Sequence, residues 1–219
     1  MSQSIDQKEI ENFSKDAGRW WDPQGPFKPL HTLNPVRMGY IKEQICSHYG
    51  RDFQNLKALK DLSILDVGCG GGLVCEPLAR LGAKVSGADA DPVAIQVAQD
   101  HAEQSGLKIT YHNKPAEDIE QQFDVVLALE IIEHVEGPAG FVANIAKLCK
   151  PGGLVIFSTL NRTAKSFALG IVAAEYILRW VPAGTHSWKK FVKPHEMARF
   201  GRACGLTPQG TRGLVYNPL

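Results

Sequence analysis

Cysteine is scarce in this chain of 219 residues. Its five copies (Cys46, Cys69, Cys75, Cys149 and Cys204) are odd in number and form no C-x-x-C pair. That excludes a disulfide scaffold and a zinc module, and it fits a reduced cytosolic protein. Charge of one sign is not in excess: 24 Lys and Arg stand against 23 Asp and Glu, a net of +1. The whole chain is therefore no polyanion binder. Long apolar runs are missing too, and none reaches the ~20 residues that span a bilayer. The N-terminus, MSQSIDQKEIENFSKD, lacks a basic segment followed by an apolar core, so no secretory signal is read there. No internal repeat and no low-complexity tract is visible. At 44% hydrophobic and 21% charged residues, the composition excludes a disordered or fibrous chain. At roughly 150 residues per domain, one domain is the better expectation.

What charge there is divides unevenly. Residues 1–161 carry 15 basic and 21 acidic side chains, a net of −6. Residues 162–219 carry 9 basic and 2 acidic, a net of +7. An acidic body with a basic end suggests one face that meets an anionic partner. Residues 5–21 show helical spacing, residues 22–36 read as an extended segment punctuated by Pro23, Pro26, Pro29 and Pro35, and residues 37–49 read as a helix. Strands and helices then alternate. SILDVG (63–68), KVSGAD (84–89), KITYHN (108–113), FDVVLAL (123–129) and LVIFSTL (154–160) read as strands. Residues 72–81, 92–106 and 137–149 read as helices, the last stopped by Pro151-Gly152-Gly153. Apolar strands separated by helices indicate a parallel sheet covered on both faces. The expectation is a doubly wound α/β fold, whose ligands sit at the carboxyl ends of the strands where their order reverses.

The first strand runs into Asp66-Val67-Gly68-Cys69-Gly70-Gly71-Gly72. Glycines such as Gly68 and Gly70 let the backbone pass close to a ligand. A dinucleotide fingerprint wants a further Gly where this chain has Leu73. Asp66 before the loop disfavours a pyrophosphate and favours a cation. S-adenosylmethionine carries an ammonium and a sulfonium and no phosphate, and strand–D-x-G-x-G–helix resembles the class I methyltransferases that use it. Asp89 ends the second strand and is placed to accept hydrogen bonds from ribose hydroxyls. Asp91 is the competitor, but it precedes Pro92 as a helix N-cap would. After the third strand, Ala116 and Glu117 are placed to meet an adenine, with Glu117 as acceptor for its amino group. Asp124 reads as structural.

The fourth strand leads into Leu129-Glu130-Ile131-Ile132-Glu133-His134. On a helical turn, Glu130, Glu133 and His134 share one face at i, i+3 and i+4. Two carboxylates and an imidazole there suit Mg²⁺. Alternatively, the Glu-His pair packs beside the cofactor, leaving His134 as first candidate base and Glu133 as second. Before the sheet, Trp20, Trp21, Phe27, Lys28, His31 and Arg37 supply aromatic and cationic groups. The tryptophans either cover an aromatic substrate or pack the N-terminal helix onto the domain. Arg37 suits the cofactor's carboxylate. Residues 167–181, FALGIVAAEYILRWV, are apolar but interrupted by Glu175 and Arg179, which suits an interfacial segment rather than a span. Trp180, Trp188, Lys189, Lys190, Phe191 and Lys193 follow, a mixture fit for a headgroup region.

R-W-W-D, F-K-P-L-H, N-P-V-R-M-G-Y-I, L-D-V-G-C-G-G-G, E-I-I-E-H-V, S-T-L-N-R, A-E-Y-I-L and P-x-G-T-H together resemble the 3-demethylubiquinol 3-O-methyltransferases, from about Phe13 to Pro218. The resemblance implies a class I (Rossmann-like) sheet with an N-terminal helical cap over 1–50, an S-adenosylmethionine-binding core over 51–161 and a membrane-facing insertion over 162–200. It implies O-methylation of a polyprenylated hydroxyphenol in ubiquinone synthesis. It carries Arg37, Gly68, Asp89 and Leu129 to cofactor positions, and Glu130, Glu133 and His134 to Mg²⁺ ligand positions. The implied partners are the polyprenylated phenol and other quinone-biosynthesis proteins, and the apolar, aromatic and lysine residues of 167–193 add an anionic membrane surface. The implied place is the cytoplasmic face of the membrane, with peripheral attachment. Rival readings are a Mg²⁺-dependent RNA 2′-O-methyltransferase, which the acidic first 161 residues oppose, and a non-catalytic cofactor- or lipid-binding subunit. Members of the resembling family continue past Y-N-P-L by a further strand or more, so the sheet's last strand is expected to be missing from this chain.

Overall fold

The computed structural model describes residues 14, 16–167 and 187–214. The expected N-terminal helix up to residue 13, the apolar segment from 168 to 181 with Glu175, Arg179 and Trp180, and residues 215–219 lie outside them. Five strands form one parallel sheet: β1 (Ser63–Val67), β2 (Lys84–Asp89), β3 (Thr110–Asn113), β4 (Phe123–Leu129) and β5 (Cys149–Ser158). Their order is β3-β2-β1-β4-β5. After β1 the chain winds one way through β2 and β3, then returns to β4 on the other side. The order thus reverses between β1 and β4, and the crevice at their carboxyl ends is the fold's ligand position.

Alternation along each strand sorts the core into two layers. Ile64, Val125 and Leu127 face α1 (Lys28–Tyr49) and α2 (Cys75–Arg80), meeting Met38, Ile41, Ile45 and Leu78. Leu65, Val67, Val126 and Ala128 face the opposite way, toward Phe141, Val142 and Ile145 of α4 (Pro138–Leu148). Met197 and Phe200 of α5 (Pro194–Ala203) pack behind that second layer. Each fully buried aliphatic side chain here contributes about 1.5–3 kcal/mol. Helices therefore cover both faces, as the uninterrupted apolar strands require. α3 (Pro92–Gln104) begins as read: the Asp91 carboxylate accepts the Val93 amide hydrogen at 2.9 Å, with Pro92 in the first turn.

Several boundaries depart from expectation. Of the 5–21 segment read as helical, the described part forms a 3₁₀ turn at Ala17–Arg19; the 72–81 helix is confined to Cys75–Arg80, and β3 starts at Thr110. α1 starts at Lys28, inside the segment read as extended. Pro29 sits in its first turn, where a missing N–H is harmless, and Pro35 is carried within the helix. β5 starts at Cys149, before the prolyl-glycyl break, because a register irregularity between Phe123 and Val125 absorbs the extra residues. Among the described residues, no helix is long and apolar enough to cross a membrane.

Candidate active site

The glycine loop leaves β1 with Gly68, Gly70 and Gly72 at φ of 74°, 49° and 87°. That left-handed region is open to glycine at little cost. Space is also short: a Cβ on Gly68 would lie 2.5 Å from Ile131 Cδ1, and one on Gly70 2.2 Å from Trp20 Cζ2. The loop is tied to β2. The Gly68 amide donates to the Ala88 carbonyl at 2.8 Å, and the Gly70 amide to Asp89 Oδ2 at 2.8 Å. Asp89 Oδ1 accepts the Asp91 amide hydrogen at 2.9 Å. Burial raises the Asp89 pKa against these backbone bonds. Each carboxylate oxygen keeps a second lone pair, which suits a vicinal diol. Beside Asp89 a cleft is walled by Ala116, Ile131 and Phe141, with Lys114 at its edge. Its apolar sides suit a flat heterocycle. Glu117 is exposed on the turn Ala116–Asp118 next to that cleft.

Asp66 and Arg37 form the other half of the site. Asp66 is buried, and burial pushes its carboxyl up to about 7 although Arg37 and the Cys75 thiol pull it down. Arg37 is buried on α1 and feels the charges of both Asp66 and Glu130. Its Nη2 donates to Asn34 Oδ1 at 3.1 Å, and Asn34 Nδ2 donates to the Leu73 carbonyl at 2.7 Å. The Arg37 Nε is buried with no protein partner. A buried cation with a spare donor and a buried acid at one loop match the carboxylate and ammonium of an amino acid. With the cleft beside Asp89, the residues present fit S-adenosylmethionine.

The acceptor side differs from the expected helical face. Glu130 follows β4 at φ 52°, uncommon for a residue with a side chain. Only Ile132–His134 is helical, and it is a 3₁₀ turn. The positive φ turns the chain so that Ile131 falls against Gly68. Glu130 is held by Ser158, whose hydroxyl donates to its Oε1 at 2.6 Å. Glu133 is buried and accepts the Thr159 hydroxyl at 2.9 Å. The three groups thus lie on a strand end and a tight turn, and two are already held by β5 and the residue after it. Among the described residues, no three His, Cys, Asp or Glu side chains gather to hold a metal. The proposed Mg²⁺ ligands do not fit such a site, and no step is derived through one. Burial, with the neighbouring Glu130 charge, pushes the Glu133 carboxyl up to about 7, while His134 opposes this. His134 is half-buried at the crevice. Leu129 is buried at the end of β4 opposite Ser158.

The paired tryptophans are used against the glycine loop. Trp20 rests on Gly70 and Gly71 and packs on Phe27, ring centroids 3.8 Å apart. Trp21 Nε1 donates to the Gly71 carbonyl at 2.9 Å, and its ring stacks on His101 at 3.5 Å. His31 Nε2 bonds the Trp20 carbonyl at 2.9 Å, and Lys28 Nζ donates to Gln24 Oε1 at 2.9 Å. In the basic end, Trp188 and Lys189 are exposed, whereas Phe191, expected at a surface, is buried beside Val192. Asp124 is structural as read, bonding Ser63 and Lys150. Ser158, Thr159, Asn34, Lys114 and His101 were not read as site residues. For Ser158 and Thr159 a signal existed in the S-T-L-N-R block, and for Asn34 in the N-P-V-R-M-G-Y-I block. For Lys114 and His101 the contacts are tertiary.

A methyltransferase domain family matches residues 40–209. A ubiquinone biosynthesis O-methyltransferase of Dinoroseobacter shibae is 49% identical over 100% of this chain and 89% of its own length. One from Cereibacter sphaeroides (strain ATCC 17025) is 51% identical over 99% and 89%. Among solved structures, magnesium protoporphyrin IX methyltransferase from Synechocystis PCC 6803, with bound SAH, superposes with a TM-score of 0.70 at 18% identity, covering 92% of this chain and 90% of its own.

Proposed function

From the premise that this chain belongs to the ubiquinone biosynthesis O-methyltransferases, enzymes that use S-adenosylmethionine, we propose how its residues divide the work. Asp89 takes the ribose diol and the cleft of Ala116, Ile131 and Phe141 takes the adenine. Leu129 and Gly68 close on the cofactor through backbone contacts, and Glu117 reaches the adenine amino group from the cleft's rim. Asp66 holds the ammonium and Arg37 the carboxylate. The observation that carries this is the burial of Asp66 and Arg37 beside one glycine loop, with the Arg37 Nε left without a protein partner.

Bound S-adenosylmethionine supplies a methyl carbon on a sulfonium, whose C–S bond breaks as the bond to the acceptor oxygen forms. The acceptor is a hydroxyl of a polyprenylated phenol. A phenol of pKa near 10 is mostly protonated at neutral pH, so its proton needs a receiver. His134 takes it at an imidazole nitrogen, at the crevice where the carboxyl ends of β1 and β4 meet. Glu133 behind it, oriented by Thr159, stabilises the imidazolium that results. General-base help of this kind is worth about 10²–10⁴ in rate, and fixing the two reactants adds to it.

The polyprenyl tail resides in a membrane, and the basic end of the chain meets that surface. Phe167 and Trp188 stand exposed at the two borders of residues 168–186, their ring centroids 6.3 Å apart. Lys189 and Lys190 adjoin Trp188. Aromatic rings with lysines suit an anionic headgroup layer. The deciding experiment is mass spectrometry of a short-tailed hydroxyphenol incubated with S-adenosylmethionine and the protein. A gain of one methyl on oxygen supports the assignment. Cofactor binding without transfer to any hydroxyphenol overturns it.

A further inference from the structure

We propose that His101, which touches neither the cleft beside Asp89 nor the Glu133–His134 turn, is a positioning residue for the cofactor loop. It acts through Trp21. Glu76 lies in the first turn of α2 and is only 2% exposed. A carboxylate that deep requires cationic or donor partners. His101 Nδ1 meets its Oε1 at 2.5 Å, and Arg80 Nη2 meets its Oε2 at 3.3 Å. The Glu76 pairing fixes the plane of the imidazole. Trp21 lies on that plane, 3.5 Å between centroids and 5° from parallel. The stack in turn aims the indole N–H at the Gly71 carbonyl, 2.9 Å away.

The effect is local to the loop that binds the cofactor. Gly71 lies between Gly70, whose amide is held by Asp89, and Gly72, whose carbonyl accepts the Glu76 amide hydrogen at 3.1 Å. The middle carbonyl would otherwise be free to rotate. Trp21 sets its orientation, and Trp20 covers Gly70 and Gly71 from the adjacent position. Glu76, His101 and Trp21 thus form a relay from α2 through α3 to the N-terminal segment and back to the loop.

The inference rests on the reading of this loop as the S-adenosylmethionine site, and the test separates the two. Steady-state kinetics and calorimetric cofactor affinity are measured for His101→Ala, His101→Phe, His101→Gln, Trp21→Phe, the double variant His101→Ala/Trp21→Phe, and Asp89→Ala as reference. His101→Ala is expected to raise KM and Kd for S-adenosylmethionine about three- to tenfold, the range of one neutral hydrogen bond. Its kcat should change by less than the KM does. His101→Phe keeps the stack and His101→Gln keeps a donor for Glu76, so each should recover part of the affinity. Trp21→Phe removes the indole N–H, and adding it to His101→Ala should cost little more, since both act on one bond. Loss of affinity in Asp89→Ala with none in a folded His101→Ala overturns the relay alone, as does strict additivity of the two changes. An unchanged affinity in Asp89→Ala overturns the reading of the loop itself.

Discussion

Asp89 accepts the amide hydrogen of Gly70 at 2.8 Å, so the carboxylate that ends β2 also pins the loop that follows β1. Its other oxygen holds the Asp91 amide at 2.9 Å. One side chain therefore shapes the loop and faces the cleft. Asp89→Ala should weaken S-adenosylmethionine binding by about 1–3 kcal/mol, because the ribose hydroxyls and two amides lose their acceptor. Asp91→Ala should instead lower stability by about 1 kcal/mol, the worth of an N-cap, which is a melting shift of about 2–4 °C. Calorimetry and thermal melts on both variants check this. The reverse pattern would exchange the roles of the two acids.

The strands were legible because β4 is apolar nearly throughout and the short β1 and β2 runs, bounded by glycine and helical segments, are buried along most of their length, as a sheet covered on both faces imposes. The places of Asp66 and Asp89 at strand ends beside the glycine loop were legible because such ends fix where a ligand can sit, whereas Arg37 on α1 was singled out by its charge and by the family resemblance. The turn after β4 was not. Nothing local to Glu130 announces a positive φ; the conformation is held by Ser158 on β5, which also receives the Glu130 amide. The start of α1 was missed because prolines in a first turn resemble a break in sequence yet suit a helix in space. The Trp21–His101 stack joins segments far apart in the chain, and no spacing rule reaches that far. Phe191 was misplaced because an aromatic between lysines looks like a surface, while here it turns inward next to Val192.

Asp66 gives a pH dependence of definite sign. Burial raises its pKa from 3.8 to about 7 in the fold. A group whose folded pKa is raised contributes stability that is present below its unfolded value and lost as pH climbs through the folded one. Asp66→Asn should therefore match wild-type stability near pH 4 and gain on it progressively up to about pH 7. Cofactor affinity should show the opposite benefit. The charged form pairs with the ammonium, so wild-type Kd should fall as pH rises through about 7. Asp66→Asn should bind weakly and without that dependence. Melts from pH 4 to 8 and calorimetry from pH 5 to 8 measure both. A wild-type affinity flat across this range would show that Asp66 does not meet the ammonium.

The Glu133–His134 pair makes a kinetic prediction. Removing His134 as Ala should lower kcat by about 10²–10⁴ while leaving cofactor Kd within a few fold. Thr159→Val deletes the hydroxyl that favours the charged form of Glu133. The Glu133 pKa, already near 7, should then rise, and the acid limb of the pH–rate profile should move to higher pH. Full activity in EDTA is expected, because Glu130 and Glu133 each already accept a hydroxyl hydrogen, from Ser158 and Thr159, and among the described residues no three such side chains are arranged to hold a metal. Loss of activity in EDTA with recovery on adding Mg²⁺ would restore the metal reading.

Membrane attachment is best tested at two lysines rather than three. Lys193 is the N-cap of α5, and its backbone amide donates to Glu196 Oε2 at 2.9 Å, so a change there alters the helix start as well as the surface. Lys189 and Lys190 lie on the turn Trp188–Lys190, which Arg162 ties to α5 through the Lys189 carbonyl at 3.4 Å and an ion pair with Glu196. The tie through Lys189 uses its backbone carbonyl, which reversing the side-chain charge leaves in place. Each lysine near an anionic surface contributes about 1 kcal/mol. Lys189→Glu/Lys190→Glu should therefore weaken sedimentation with phosphatidylglycerol or cardiolipin vesicles by at least ~30-fold, the equivalent of about 2 kcal/mol. Trp188→Ala should weaken it further and independently of salt, since the ring contributes apolar contact, whereas the wild-type interaction should decline as salt screens the lysines. Methylation of a short-tailed phenol in solution should be unchanged in the double variant, because neither lysine is placed at the crevice. Equal vesicle binding by wild type and variant, or none by wild type, would remove this surface from the account and leave the +7 end of the chain without a lipid partner.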